Sequence, residues 1–418
     1  MKQGWEECNL EDYIKLIDYR GRTPVKTESG VRLITAKNVK LGYLQLEPQE
    51  FIAANNYESW MSRGIPNIGD VIFTTEAPLA NVAQIDTIEK LAFAQRIIVM
   101  QPKANKIDAT FLKHMLLSET VRNRILEKGT GATVLGIKSS LLKKIRISFP
   151  PLPEQQRIVS ILDEAFAAIA KAKANAEQNL KNAKELFEGY LHKYYTSKEE
   201  GWEQKNLKEV AEYFNGLTYS PKDVSNEGII VLRSSNVQND ELDFNDIVRV
   251  NLTVKEKIIV KDGDILMCSR NGSARLVGKT ATIKNLNEEM TFGTFMMIIR
   301  SPYNPYLSWF FKSTDFRNQI KGGENTMINQ ITRYMLDDIV LSFPPIDKQN
   351  KIVQKLDILS KKVKKLEAIY QQKINDLEEL KKSVLQKAFA GELKTSEQSR
   401  RDDKIIEDDK IIKKKINH

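Results

Sequence analysis

The side chains that most often catalyse reactions are few in this sequence, and their spacing argues against catalysis. The histidines are His114, His192 and His418, which lie in a predicted helix, near the end of a long helix and at the C-terminus. A histidine-based triad or a zinc site needs several such groups close together, and this spacing suggests neither. Of the two cysteines, Cys8 and Cys268, the second follows an apolar run and is expected to be a packed core thiol. We therefore predict no catalytic centre and no metal site in the chain.

Motifs for nucleotide binding and methyl transfer are also missing. No G-x-x-x-x-G-K-[ST] pattern is present, and the Gly-rich run Gly129–Thr133 lacks both the lysine and a preceding strand, which favours a surface turn. Tyr303-Asn304-Pro305-Tyr306 is similar to the Asn-Pro-Pro-Tyr element of adenine methyltransferases but is one proline short. Because no Gly-rich methyl-donor site precedes it, we interpret it as a turn before a helix. The chain is expected to bind no cofactor itself.

Composition narrows the class of protein and of partner. A chain of 418 residues predicts two or three domains. The net charge of +9 favours an acidic partner, of which nucleic acid is the commonest. Two cysteines do not make a disulfide scaffold and are consistent with a reducing compartment. No apolar run approaches the ~20 residues of a membrane span, and no signal-peptide core is present, so we expect a cytoplasmic protein.

The most informative feature is that the chain repeats itself. Ser148-Phe149-Pro150-Pro151 recurs as Ser342-Phe343-Pro344-Pro345. Further matches follow in the same order, namely Gly4-Trp5 with Gly201-Trp202, Asn38-Val39 with Asn236-Val237, Gly69-Asp70 with Gly263-Asp264, Arg122-Asn123 with Arg317-Asn318, Ile158-Val159 with Ile352-Val353, and Leu162-Asp163 with Leu356-Asp357. We interpret residues 1–197 and 198–391 as two structural repeats.

Each repeat changes character at its Phe-Pro-Pro. Before it, short β-branched runs such as Asp70–Thr74 and Ile229–Leu232 are bounded by Gly, Pro and Asn and predict strands, while Phe111–Leu117 and Leu307–Phe311 predict helices. The fold class is therefore α+β, with a globular α/β domain and then a long helix in each repeat. The predicted domains are 1–150 and 198–345, the predicted helices are 151–197 and 346–391, and a charged, biased tail occupies 392–418.

The long helices carry apolar residues at alternating steps of four and three, which predicts heptad seams. In the second helix these are Ile352, Leu356, Leu359, Val363, Leu366, Tyr370, Leu377, Leu380 and Val384. In the first they are Ile158, Leu162, Ala165, Ile169, Ala172, Ala176, Ala183, Leu186 and Tyr190. The first helix has small residues at positions where the second has large ones, which would let the two pack closely, so we predict an antiparallel coiled coil within the chain. The alternative is that each seam serves as core for its neighbouring domain.

With its repeat, the chain resembles the specificity subunit of a type I restriction–modification enzyme. The resemblance covers residues 1–391 and is carried by Ile147–Val159 (ISFPPLPEQQRIV) and its more degenerate second copy Phe343–Val353 (FPPIDKQNKIV). Leu232–Val237 (LRSSNV) and Gly263–Gly272 (GDILMCSRNG) are similar to parts of that family's target recognition domains.

This resemblance implies partners and a non-catalytic role. It implies that two recognition domains each read half of a bipartite site in double-stranded DNA, and that the helices space them and dock two modification subunits. Those subunits would bring S-adenosylmethionine, and restriction subunits, where present, would bring ATP hydrolysis with Mg and DNA cleavage. The complete enzyme would be a site-specific deoxyribonuclease and DNA adenine methyltransferase, although the chain alone would be neither.

Residues that contact DNA cannot be carried over by motif, so we select them by chemistry. Base edges in the major groove are read by Arg, Lys, Asn and Gln, with support from Ser and Thr. In loops beside the strands of the first domain, such residues are Arg20, Arg22, Lys37, Asn38, Thr74, Thr75 and Arg96. In the second domain they are Arg233, Ser234, Asn236, Ser269, Arg270, Asn271 and Arg275.

Two other functions stay open at the level of sequence. A methyltransferase with a divergent donor site is disfavoured by the lack of a complete Asn-Pro-Pro-Tyr motif. A coiled-coil adaptor that binds protein would show no salt-dependent binding to duplex DNA, whereas a DNA reader would.

Overall fold

The structure is a computed structural model that describes residues 4–20, 23–321 and 329–393. The chain forms two compact units, one of Met1–Asn175 with Lys373–His418 and one of Ala176–Gln372. Each unit thus combines one globular domain with the first half of its own long helix and the second half of the other. Arg22 and the predicted tail beyond Leu393 lie outside the described residues.

Within its described residues, the first domain has nine strands and five short helices before its long helix. The strands are β1 Glu6–Asn9, β2 Ile14–Asp18, β3 Val31–Ile34, β4 Phe51–Ile52, β5 Val71–Thr74, β6 Val82–Gln84, β7 Leu91–Phe93, β8 Ile97–Pro102 and β9 Arg146–Phe149. The helices are α1 Leu10–Tyr13, α2 Tyr57–Trp60, α3 Ala109–Leu117, α4 Glu119–Glu127, α5 Ser139–Lys143 and the long α6 Leu152–Thr196, and a short 3-10 helix spans Ala54–Asn56.

The second domain and its long helix repeat most of this order, with additional short strands. Its strands are β10 Glu203–Asn206, β11 Glu212–Asn215, β12 Val224–Ser225, β13 Ile229–Leu232, β14 Val237–Gln238, β15 Glu241–Leu242, β16 Arg249–Val250, β17 Ile265–Cys268, β18 Thr280–Thr282, β19 Met290–Phe292, β20 Met296–Arg300 and β21 Val340–Phe343. Its α-helices are α7 Leu207–Val210, α8 Asn304–Phe310, α9 Thr314–Lys321, α10 Arg333–Asp337 and the long α11 Ile346–Ala390. Short 3-10 helices span Pro221–Asp223, Ser234–Asn236, Glu256–Ile258 and Ala274–Leu276.

A four-stranded antiparallel sheet is the centre of each domain. In the first domain its order is β2-β8-β5-β6, and in the second it is β11-β20-β17-β18. The central strands β5 and β17 are buried along their whole length, which explains their continuous apolar sequence. A second sheet combines a parallel pair, β3 with β7 or β13 with β19, with further antiparallel strands. The α+β class and the tandem repeat are confirmed.

The Phe-Pro-Pro motif ends each domain because a buried glutamine closes the turn that follows it. The Gln155 Nε2 donates to the carbonyl of Pro150 at 2.8 Å, and the Gln349 Nε2 donates in the same way to Pro344 at 2.8 Å. Both glutamines are almost completely buried. A buried amide must be hydrogen-bonded, so this side chain sets where the long helix begins.

The long helices run antiparallel, as predicted. In the first unit Ile158 and Leu162 share a core with Ala388, and the Lys173 Nζ lies 2.6 Å from Glu378 Oε1. In the second unit Leu191 and Tyr195 share a core with Ile352 and Leu356. Both cores also contain residues of the adjoining domain. The seams therefore also contribute to the domain cores, which was the alternative interpretation.

The predicted heptad seams are buried only in part. Leu186, Tyr190, Leu366 and Leu380 are exposed. In α6 the buried residues Leu162, Ile169, Ala176 and Ala183 keep the heptad spacing, whereas in α11 Ile352, Val363 and Ile374 are buried at a spacing of eleven. Eleven residues make three turns of about 3.67 residues, which is closer to the helical 3.6 than a heptad is, so the buried face of α11 drifts away from a heptad seam.

Among the described residues, none of the helices combines the length and the apolar character that crossing a bilayer requires.

Candidate nucleic-acid interface

One edge of the central sheet gathers several of the predicted DNA-contacting residues in the first domain. The C-terminal ends of β2 and β5 and the N-terminal end of β8 meet there, because β8 runs antiparallel to both. This arrangement brings Arg20, Thr75 and Arg96 together. Arg20 and Thr75 line an open concavity of about 370 Å³, together with Glu76, Gln95 and Lys138 among others.

The two arginines at this edge are held by carboxylates. The Arg20 guanidinium makes an ion pair with Asp18 at 2.6 Å and donates through Nη1 to the carbonyl of Ile137 at 3.0 Å. The Arg96 Nε lies 2.8 Å from Glu76 Oε1, and both of these side chains are about half exposed. These contacts hold both guanidinium groups in fixed orientations at the sheet edge.

The predicted contacts by Thr74, Thr75 and Ser269 need correction, because the structure buries all three. The Thr74 hydroxyl donates to the carbonyl of Pro78 at 2.6 Å, and the Thr75 hydroxyl donates to that of Arg96 at 3.3 Å. The carbonyl of Ser269 accepts from the Ile331 amide at 2.7 Å. These residues build the sheet edge instead of presenting side chains to a base.

Asn38 and Asn236 are also buried, and their amides hold equivalent loops. The Asn38 Oδ1 accepts from the Thr35 amide at 2.9 Å, while its Nδ2 donates to the carbonyls of Gln45 and Pro48 at 3.0 and 3.1 Å. The Asn236 Oδ1 accepts from the Arg233 amide at 2.9 Å. Its Nδ2 donates to the carbonyls of Asp243 and Asp246, both at 2.9 Å. With the amide fully used, neither residue reaches a base, and each positions the loop that starts at Thr35 or Arg233.

Replacing Asn38 with aspartate tests this structural role. The carboxylate keeps the acceptor but loses both donors and places a charge against two carbonyl oxygens, so we expect a loss of about 2 kcal/mol in the stability of the loop. Amide hydrogen exchange across residues 35–48 measures it. Lys37→Ala, at the exposed neighbouring position, is the matched control and should leave exchange unchanged; equal exchange in the two variants would contradict the assignment.

In the second domain two of the predicted residues contact each other, and others have partners outside the predicted set. The Asn271 Nδ2 donates to the Ser234 hydroxyl at 3.2 Å, and Arg233 makes an ion pair with Asp246 at 2.7 Å. Arg270 is exposed and its guanidinium lies 5.6 Å from the centre of the Phe295 ring. Arg275 is exposed on a short 3-10 helix, as Lys37 is on its loop in the first domain.

Selection by residue type missed several groups at the equivalent edges of the two domains, among them Glu76, the partner of Arg96. Gln95 and Lys138 line the concavity of the first domain, and Phe295 is 57% exposed beside Arg270. Gln95 has the right chemistry for base contact but directly follows the apolar run Leu91–Ala94, where the sequence predicts core. For Phe295 the only signal was an aromatic residue directly before a strand, which does not by itself indicate exposure.

The groups considered for catalysis have structural partners. His114 is buried with its Nε2 3.4 Å from Asp163 Oδ1, and the His192 Nδ1 lies 2.7 Å from Asp315 Oδ1. Burial raises the pKa of the Cys8 thiol to about 11 and also raises the pKa of Cys268, so both thiols stay protonated near neutral pH. Within the described residues, no group of three or more His, Cys, Asp or Glu side chains could hold a metal ion.

Comparison with known proteins agrees with this architecture. The family described as type I restriction modification DNA specificity domain matches residues 2–182 and again 199–379. The EcoKI specificity subunit of Escherichia coli (strain K12) is 28% identical over 315 residues, which are 71% of this chain and 68% of that protein. The StySPI specificity subunit of Salmonella potsdam is 26% identical over 312 residues, 69% of this chain and 66% of that one.

Solved structures share the fold. A chain from a structure concerned with complex assembly and conformational transition of the type I R-M system superposes with a TM-score of 0.75 at 19% identity, over 94% of this chain and 99% of that one. The HsdS subunit from Thermoanaerobacter tengcongensis gives 0.59 at 19% identity, over 94% and 98%. With the family matched in both repeats, the chain belongs to the DNA specificity subunits of type I restriction–modification systems.

Proposed function

We propose that this chain reads a bipartite site in double-stranded DNA, with one globular domain on each half-site, and that its partner subunits perform the chemistry. The observation that carries the proposal is the duplicated scaffold. The loops held by Asn38 and Asn236 are built with the same hydrogen bonds, and the equivalent edge of each central sheet presents polar side chains. Two similar readers on one chain are suited to two half-sites. The family match favours this function over a divergent methyltransferase or a protein-binding adaptor.

The long helices supply a surface for partners. Several large apolar side chains on α11 are exposed, namely Ile358, Leu366, Ile369 and Leu380. Apolar residues along a charged helix favour protein association, and we infer that two modification subunits dock on the helices. They would bring S-adenosylmethionine, and restriction subunits, where present, would bring ATP and Mg.

Co-expression tests this function. We expect the purified chain to transfer no methyl groups, and the chain expressed with its modification subunit to methylate host DNA at two short half-sites separated by unread bases. Sequencing of methylated bases in a host without other DNA methyltransferases measures the pattern. The modification subunit expressed alone is the control and should leave that DNA unmethylated. Methyl transfer by the single chain, or methylation at one continuous site, would contradict the proposal.

A further inference from the structure

Two positions at the sheet edge are equivalent in the two domains down to single backbone hydrogen bonds. The Thr75 amide donates to the carbonyl of Arg96 at 3.0 Å, and the Ser269 amide donates to that of Phe295 at 2.9 Å. The Ile137 amide donates to Thr75 at 2.9 Å, as the Ile331 amide does to Ser269 at 2.7 Å.

The same equivalence extends to the next residue of the strand end. Glu76 pairs with Gly136 in an isolated antiparallel bridge, and Arg270 pairs with Gln330 in the same way. Position 76 of the first domain therefore corresponds to position 270 of the second, and position 96 to position 295.

The buried residues of this framework are similar in the two domains, whereas the exposed pair is not. Thr75 and Ser269 are both small and hydroxylated, and Ile137 and Ile331 are identical. At the exposed pair, the first domain has a carboxylate bound to a guanidinium, with Glu76 and Arg96 2.8 Å apart. The second has a guanidinium over an aromatic ring, with Arg270 5.6 Å from the centre of the Phe295 ring.

This contrast is what we expect of positions that contact DNA bases. A fixed backbone with different exposed chemistry lets one scaffold recognise different bases. A carboxylate accepts a hydrogen bond from N4 of cytosine, and a guanidinium donates to O6 and N7 of guanine, so the first pair complements the two bases of a C·G pair. The second pair offers a guanidinium for guanine and an apolar ring for the methyl group of a thymine beside it.

We propose that Glu76 with Arg96, and Arg270 with Phe295, determine which bases each domain reads. The inference rests on the proposed function, in which each domain reads one half-site. It assigns a C·G pair to the half-site of the first domain, contacted by Glu76 and Arg96. It assigns a guanine next to a thymine to the half-site of the second.

Exchanging the pairs tests the proposal in the complex with the modification subunit. The double variant R270E/F295R gives the second domain the exposed pair of the first. We expect the sequence of methylated DNA to change at one or two bases of one half-site, with the other half-site and the spacing unchanged. The reciprocal variant E76R/R96F should change the other half-site. Methylation at the unchanged wild-type sequence by both variants would overturn the proposal.

A matched control covers general effects of charge reversal, and a milder variant covers the case in which the double variants lose activity. The control E7R/R146E reverses another exposed ion pair of the first domain, with atoms also 2.8 Å apart, and should preserve the methylated sequence. If the double variants do not methylate, the single variant Arg270→Ala tests the proposal instead. Binding of its purified complex is measured on duplexes that carry the wild-type site or one single-base change. We expect discrimination to fall about 10-fold at one position. Full discrimination at every position would overturn the proposal, whereas failure of the proposed function would appear as a wild-type complex without a bipartite site.

Discussion

Arg300→Ala should destabilise the second domain by about 3 kcal/mol, because it leaves a buried carboxylate without its counter-charge. Asp264 is almost fully buried, and the Arg300 guanidinium binds both of its oxygens, at 2.6 and 2.8 Å. A further donor of the same side chain reaches the carbonyl of Ile259 at 3.0 Å. Urea unfolding, read together with hydrogen exchange of β17 and β20, measures the loss.

The first domain provides the matched control for this ion pair. At the equivalent place the Gln101 Nε2 donates to Asp70 Oδ2 at 2.6 Å, so a neutral amide stands where Arg300 does. Gln101→Ala should therefore cost less, about 1 kcal/mol. Arg300→Gln, which copies the first domain, should recover part of the loss caused by Arg300→Ala. Equal effects of Arg300→Ala and Gln101→Ala would show that the charge of the pair contributes nothing.

Acid should weaken the first unit through His114. Burial is the main cause that lowers the pKa of this imidazole from 6.5 to about 4, and the nearby Lys113 and Lys381 ammonium groups lower it further, against the opposing effect of Asp163. Among the described residues the His114 Nδ1 finds no hydrogen-bond partner, so a proton there would be buried without an acceptor.

The sign of this effect follows from which state takes up the proton. Well above pH 6.5 the imidazole is neutral in both the folded and the unfolded protein, so His114 then takes nothing from the free energy of unfolding. As the pH falls towards about 4, the unfolded chain binds a proton that the folded chain excludes, and up to about 3 kcal/mol of stability is lost. His114→Gln removes the titration, so we expect its stability to fall less than that of the wild type over this range, as measured by urea unfolding.

The second unit gives an internal control for the acid effect. Its equivalent of His114 is Trp309, whose Nε1 donates to Asp357 Oδ1 at 3.1 Å and cannot titrate in this range. Hydrogen exchange in α3 should accelerate in acid relative to exchange in α8, after correction for the intrinsic rates. A wild-type protein and a His114→Gln variant with the same pH dependence would refute the role of this histidine.

Local sequence determined the elements and their duplication. The β-branched runs at Asp70–Thr74 and Ile229–Leu232 predicted strands, and strands lie there at Val71–Thr74 and Ile229–Leu232. The second Phe-Pro-Pro predicted a second long helix, and the reciprocal small and large residues predicted antiparallel packing. The phase of the second long helix was less accessible, because heptad and eleven-residue spacings share most positions over a few turns and separate only further along the helix, as at the exposed Leu366.

The candidate interface was predictable as a region but not residue by residue. Residue type placed Arg20, Arg96, Arg233 and Arg270 at or beside the sheet edge, since polar side chains after a strand must leave the core. Residue type alone could not show that Arg270 is exposed and Asn236 is buried, because both are hydrogen-bonding side chains that can hold a loop or read a base. Burial and hydrogen-bond partners depend on residues far away in sequence, so only the tertiary structure decided which polar groups remain available to DNA.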